Sequence, residues 1–162
     1  MAQQSPNPVQ ADPQITAIDQ RRRWMSVLAR TGLDVLEKQW AQVQPPPTYY
    51  LLRRPERGLV MVQARAGGDG LRFHLGEMTV THCVVRMETG PTGYSWVPGC
   101  NPRHAELAAV FDSLLQVPDY QTRILECLVE PEALKQAEAR RARVASALAT
   151  KVEFYTMVRG EE

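Results

Sequence analysis

The sequence predicts an α+β domain in which a small, mainly antiparallel sheet is packed by N-terminal, central and C-terminal helices. Three observations predict it. Apolar residues recur at helical spacing near both ends of the chain. Between Tyr49 and Val97 the pattern changes to short alternating runs broken by glycine and proline. No strand–helix–strand alternation is present, so a parallel sheet is not expected.

Residues 1–16 hold Pro6, Pro8 and Pro13 among glutamines and alanines, with nothing to anchor a core, and read as a disordered tail before one domain over 17–162. From Ile18 the spacing Ile18, Arg22, Met25, Leu28, Ala29 predicts a helix that Gly32 ends. Leu33, Leu36, Trp40 and Val43 predict a second, closed by Pro45-Pro46-Pro47. Tyr49–Arg53 reads as a short strand, Pro55-Glu56-Arg57-Gly58 as a turn and Leu59–Arg65 as a second strand. After the loop Ala66-Gly67-Gly68-Asp69-Gly70, a longer strand runs from Glu77 to Met87, and a turn at Gly90-Pro91 leads to a return strand over Gly93–Val97.

Asn101 is a good helix N-cap and Pro102 suits the first helical position. Leu107, Val110, Phe111 and Leu114 form the buried stripe of that helix, and Pro118 closes it. A short helix is expected near Gln121–Cys127. Another opens at Glu130-Pro131-Glu132, where acidic side chains suit the positive end of the dipole. The tail Lys151–Val158 alternates again and predicts a last strand. The expected order is α-α-β-β-β-β-α-α-β.

Composition narrows the function classes. Lysine and arginine total 19 against 18 aspartates and glutamates, so there is no global pull toward nucleic acid or anionic membrane. No apolar run approaches a membrane span, and Met1–Gln14 lacks the apolar core of a secretory signal, so a cytoplasmic protein is expected. Cys83, Cys100 and Cys127 are far apart, without a C-x-x-C pair. They read as plain thiols, and no metal or iron–sulfur cluster bound by this chain alone is expected.

Chemistry-bearing candidates are few. The glycine loop lacks the Lys-Ser/Thr of a P-loop and reads as a turn. At the helix start, Asn101 and Arg103 could help bind an anion beside free backbone N–H groups. His104 and Glu106 could serve there as acid and base, or could simply pack at the core edge and favour the dipole. Glu77, Thr79 and Thr81 lie in a row on one strand face, which calls for solvent, a cross-strand partner or another chain. His82 and Cys83 are adjacent and face opposite sides of their strand, so they form no dyad. Arg21-Arg22-Arg23 and the Arg140-Arg141-Arg143 cluster read as solvated helix faces.

Four segments together carry a resemblance: Arg23 to Arg30 (RWMSVLAR), Gly58 to Met87 with GEMTVT, Gly93 to Gln116 with RHAE, and Val152 to Gly160 with FYTMVRG. In combination they resemble PhnG, a subunit family of the bacterial carbon–phosphorus lyase. The departures are the tail before residue 20 and Pro102 ahead of Arg103-His104. The resemblance implies a subunit that joins PhnH-, PhnI- and PhnJ-like partners, with an ATP-binding-cassette-like subunit in the wider system. Together they form α-D-ribose 1-methylphosphonate 5-triphosphate from ATP and methylphosphonate, displacing adenine from C1′. In that family the nucleosidase step is assigned to the PhnI-like subunit and the radical cluster to the PhnJ-like one, and no catalytic residues carry over to this chain. Phe154, Tyr155, Met157 and Arg159 in the FYTMVRG segment join Glu77, Thr79 and Thr81 as expected partner-interface residues. The alternatives are a pure scaffold for the PhnI-like subunit and a stand-alone enzyme on a phosphorylated substrate using Arg103, His104 and Glu106.

Overall fold

The computed structural model describes residues 13–66 and 70–149 of the chain, with side chains from residue 17 onward. Helices α1 (Pro13–Leu28) and α2 (Leu33–Ala41) lead into three strands, β1 (Tyr49–Arg65), β2 (Arg72–Met87) and β3 (Thr92–Pro98). Then come α3 (Pro102–Leu114) and a helical run made of α4 (Pro118–Ile124), a π-helical turn (Leu125–Val129) and α5 (Glu130–Ala149). The strands form one antiparallel sheet in the order β1-β2-β3. The fold is α+β, as the sequence predicts.

Helix α3 is the centre of the core. The expected stripe of Leu107, Val110, Phe111 and Leu114 is fully buried, and Ala105, Ala108 and Ala109 are buried too, so the helix is enclosed rather than half-covered. It lies on the sheet face that carries Cys83, Val85, Met87 and Val97, with Trp24, Val27 and Leu28 of α1 and Leu36 of α2 in the same cluster. Burying each large side chain contributes about 1.5–3 kcal/mol. Trp40 meets both Phe111 and Tyr49 edge-on, at 6.5 and 6.0 Å between ring centres, and joins α2, α3 and β1. Where β3 crosses α3 there is no room for a side chain: a Cβ on Gly93 would sit 2.0 Å from the Ala109 carbonyl oxygen. Gly99 follows β3 at a φ of 87°, in the left-handed region where glycine is favoured. From there its N–H donates to the Thr79 carbonyl and its carbonyl accepts the Thr81 hydroxyl.

Two expectations are corrected. The two short strands expected around a turn at Pro55–Gly58 are one strand of 17 residues. It is an edge strand, and Pro55 falls in the break between the Arg53–Val84 and Glu56–His82 pairs, where no ladder N–H is required. Strand β2 starts at Arg72 rather than Glu77, which places His74 within it. Helix α5 opens at Glu130 with Glu130 and Glu132 in its first turn, as the sequence predicts, and it follows the π turn without a break in the helical run, with Pro131 just after that turn. Proline cannot donate to the carbonyl of Cys127, and the side-chain amide of Gln39 bonds that oxygen instead, at 3.4 Å. The expected strand at 151–158 lies outside the described residues.

Candidate functional site

At the start of α3, Asn101 is extended (φ −119°) and its Oδ1 accepts the His104 backbone N–H at 3.1 Å, the cap that the sequence predicts. The four residues expected to act together are drawn in different directions. His104 Nε2 is 3.0 Å from the Leu28 carbonyl oxygen. A carbonyl can only accept, so Nε2 carries the proton, and the ring ties α3 to the end of α1. Glu106 instead faces β1: Tyr49 donates its hydroxyl to Oε1 at 2.7 Å, and Arg103 donates to Oε2 at 3.2 Å. Arg103 also lies 3.8 Å from Glu37 on α2, so two carboxylates share its charge.

These contacts act on protonation. Burial pushes the Tyr49 hydroxyl up, and its bond to Glu106 adds to this. For Arg103 burial acts downward, but the bonds and charges of Glu106 and Tyr49 outweigh it and the guanidinium is held above its ordinary value. Behind them, Cys83 is fully buried and its thiol is pushed up to about 11, by burial first and by the Glu106 charge second, against a backbone bond at Val84. Only a thiolate reacts quickly, so at pH 8 a maleimide should label the exposed Cys100 and Cys127 and leave Cys83 unmodified until the chain is unfolded. The raised value also sets a sign. The thiol's contribution to stability is complete below its unfolded value near 9 and is lost as pH rises toward about 11. Mass spectrometry counting three labelled thiols under native conditions would contradict this placement of Cys83.

Of the polar row on β2, Thr81 is fully buried, and its hydroxyl is used on the Gly99 carbonyl at 2.7 Å. Glu77 is exposed and Thr79 half-buried, and they pair across the ladder with Met61 and Leu59. Opposite residues in an antiparallel pair share a face, so these four side chains form one patch. The patch lies on a two-stranded arm, Gly58–Arg65 with Arg72–Val80, most of which extends past the end of β3. Leu59, Met61 and Leu75 on the arm are exposed by 63%, 58% and 65%, and Leu71, just before β2, by 91%. Phe154, Tyr155, Met157 and Arg159 lie outside the described residues.

A buried ionic knot escaped the sequence reading. Asp112, on α3, has no exposure. Its carboxylate accepts from Arg21 through two nitrogens (3.1 and 2.6 Å), from Trp24 Nε1 (2.8 Å) and from the Tyr94 backbone N–H (2.9 Å). Arg21 also lies over the Tyr94 ring, 5.5 Å from its centre. Arg23, next to it, grips Glu130 with both ends of its guanidinium, at 2.6 and 2.7 Å. Of the arginine run read as a solvated face, only Arg22 has its partner, Asp19, on its own helix.

The family model described as phosphonate metabolism protein PhnG matches residues 19–160. The chain belongs to the PhnG family. A relative from Rhizobium meliloti (strain 1021), alpha-D-ribose 1-methylphosphonate 5-triphosphate synthase subunit PhnG, is 39% identical over 145 residues, covering 90% of this chain and 92% of the relative. The PhnG match takes in all of the core, the capped start of α3, the Asp112 knot and the exposed arm, and it reaches through the FYTMVRG segment. Among the described residues of this PhnG-family chain, no helix is long and apolar enough to cross a membrane, and no group of three or more His, Cys, Asp or Glu side chains is placed to hold a metal ion.

Proposed function

We propose that this chain is a cytoplasmic subunit of α-D-ribose 1-methylphosphonate 5-triphosphate synthase. In this reading it works with PhnI-, PhnH- and PhnJ-like partners to form that triphosphate from ATP and methylphosphonate, during the use of organic phosphonates. The observation that carries the reading is the similarity to a subunit of that synthase along nine-tenths of both chains. Two features of the chain support a non-autonomous role. Arg103, His104 and Glu106 are each engaged in contacts between its own elements. The arm exposes leucine and methionine beyond what α3 and its neighbours cover. An arm of this kind is an interaction site or an aggregation liability.

The arm patch of Leu59, Met61, Glu77 and Thr79 is assigned to the contact with the PhnI-like subunit, with Phe154, Tyr155, Met157 and Arg159 as further interface candidates. A stable contact of this class covers about 800 Å² on each side. The test is size-exclusion chromatography and thermal denaturation of the chain with and without the PhnI-like subunit. The expected result is poor solubility or a broad transition alone, and a sharp, higher transition when the two are co-expressed. A soluble monomer that melts sharply and is unmoved by the partner would contradict the subunit reading.

A further inference from the structure

His82 sits at the root of the arm, where the three strands part company. Strand β3 runs out at the Val80–Pro98 pair, and β1 has its ladder break between Arg53 and Glu56. The His82 ring reaches both neighbouring strands. It stacks on Trp96 of β3, with 4.8 Å between ring centres and 22° between planes. Its Nδ1 is 3.2 Å from the Glu56 carbonyl oxygen, after the break. Its Nε2 is 3.2 Å from Arg53 Nη1, before the break.

A carbonyl can only accept and a guanidinium can only donate. Nδ1 therefore carries the proton and Nε2 accepts, so one neutral tautomer of His82 ties the two sides of the break together. The Glu56 carboxylate stands beside this pair, 3.7 Å from Arg53 Nε and 3.8 Å from His82 Nε2. Among the described residues, Arg53 and Glu56 are the charged side chains that the ring nitrogens meet. Trp96 brings no charge from β3, and Val80 and Val84, on the His82 face of β2, bring none either. Arg53 and Glu56 are exposed and can rearrange, while the ring is largely enclosed.

A second proton on the ring has one place to go, Nε2. It turns that nitrogen from acceptor to donor, so the bond from Arg53 is lost and two positive groups are left face to face. The Glu56 carboxylate is the acceptor within reach. We propose that His82 is a proton-operated latch at the root of the arm. Neutral, it holds the Glu56 carbonyl and the Arg53 guanidinium. Protonated, it releases Arg53 to solvent and donates Nε2–H to the Glu56 carboxylate, so the break in β1 is no longer tied from both sides. The exchange needs only a proton from water, and histidine is the side chain suited to such a role near neutral pH. The latch rests on strand geometry and stands or falls apart from the subunit reading.

The test is hydrogen–deuterium exchange read by mass spectrometry between about pH 8 and pH 5.5, on the full chain alone and in its co-purified complex. Deuterium uptake at the His82 ring carbon reports the protonation of the ring. Amide uptake across residues 53–58, corrected for the intrinsic effect of pH, reports the break. As the ring takes up its proton, amide uptake there should rise about fivefold, the worth of one hydrogen bond. His82→Asn keeps a donor for the Glu56 carbonyl but cannot titrate, and should show no rise. Arg53→Met should move proton uptake by the ring to higher pH, and Glu56→Gln should move it to lower pH. A rise that survives in His82→Asn would place the response on another group, such as His74, which meets Gln63 on the arm, and would overturn the latch. So would movement of both charge variants in the same direction, or unchanged amide uptake across the break while the ring titrates.

Discussion

Replacing Asp112 with alanine is expected to remove about 3 kcal/mol from the stability of this chain, the low end of the range for breaking a buried ion pair. The low end applies because Arg21 is about a third exposed and can recover water once its partner is gone. The Trp24 indole N–H and the Tyr94 backbone N–H have no such recourse, since both donate into the protein interior. Asp112→Asn keeps one accepting oxygen and should cost less than Asp112→Ala, while Arg21→Met, which leaves the carboxylate buried without its counter-charge, should cost nearly as much. Chemical denaturation of the three variants, alone or in the co-purified complex, checks the order. A midpoint for Asp112→Ala within error of the parent would mean that the knot does not hold α1 against α3 and β3.

The second large effect concerns assembly rather than folding. Leu59→Asp with Met61→Asp places two charges on an arm patch that is already solvent-exposed, so the chain's own core should be untouched. In the proposed assembly the same charges would have to be buried against the PhnI-like subunit, at a cost of several kcal/mol each. Co-purification with that subunit should fall by at least 100-fold and growth on methylphosphonate should be lost, while circular dichroism of the variant matches the parent. Retained co-purification would move the interface off the arm.

The parts of this structure that were legible in the sequence are those set by neighbours in the chain. Asn101-Pro102 announces a helix start because the cap and the missing N–H act within one turn, and Leu107, Val110, Phe111 and Leu114 announce its buried face by spacing alone. Local signals misled where distant partners override them. Pro55 and Gly58 carry turn chemistry, but at a sheet edge a break in the ladder absorbs them. The strand expected from Glu77 starts five residues earlier, because Arg72–Gly76 find their partners across the ladder in Val62–Arg65. Asp112 interrupts an otherwise apolar stretch, which signals a paired buried charge. Its partners, Arg21 and Trp24, lie too far away in the chain for spacing to identify. At the start of α3 the Asn101 cap is legible, while the separate engagements of His104 with Leu28 and of Glu106 with Tyr49 follow from packing that no local pattern encodes.

The π turn at Leu125–Val129 closes with the Glu130 N–H on the Leu125 carbonyl, one residue further back than an α-helix allows. A helix advances about 100° per residue, so a chain of this length wound as plain α-helix from Pro118 to Ala149 would arrive at α5 rotated by that angle. Both ends of the run are pinned to the same body: Arg123 donates to the Gln42 carbonyl, and Gln136 to that of Val27. The wide turn takes up one surplus residue and so reconciles the azimuths of the two anchors. Arg140 shares a face with Gln136, and its direction is therefore set by a length mismatch three turns upstream.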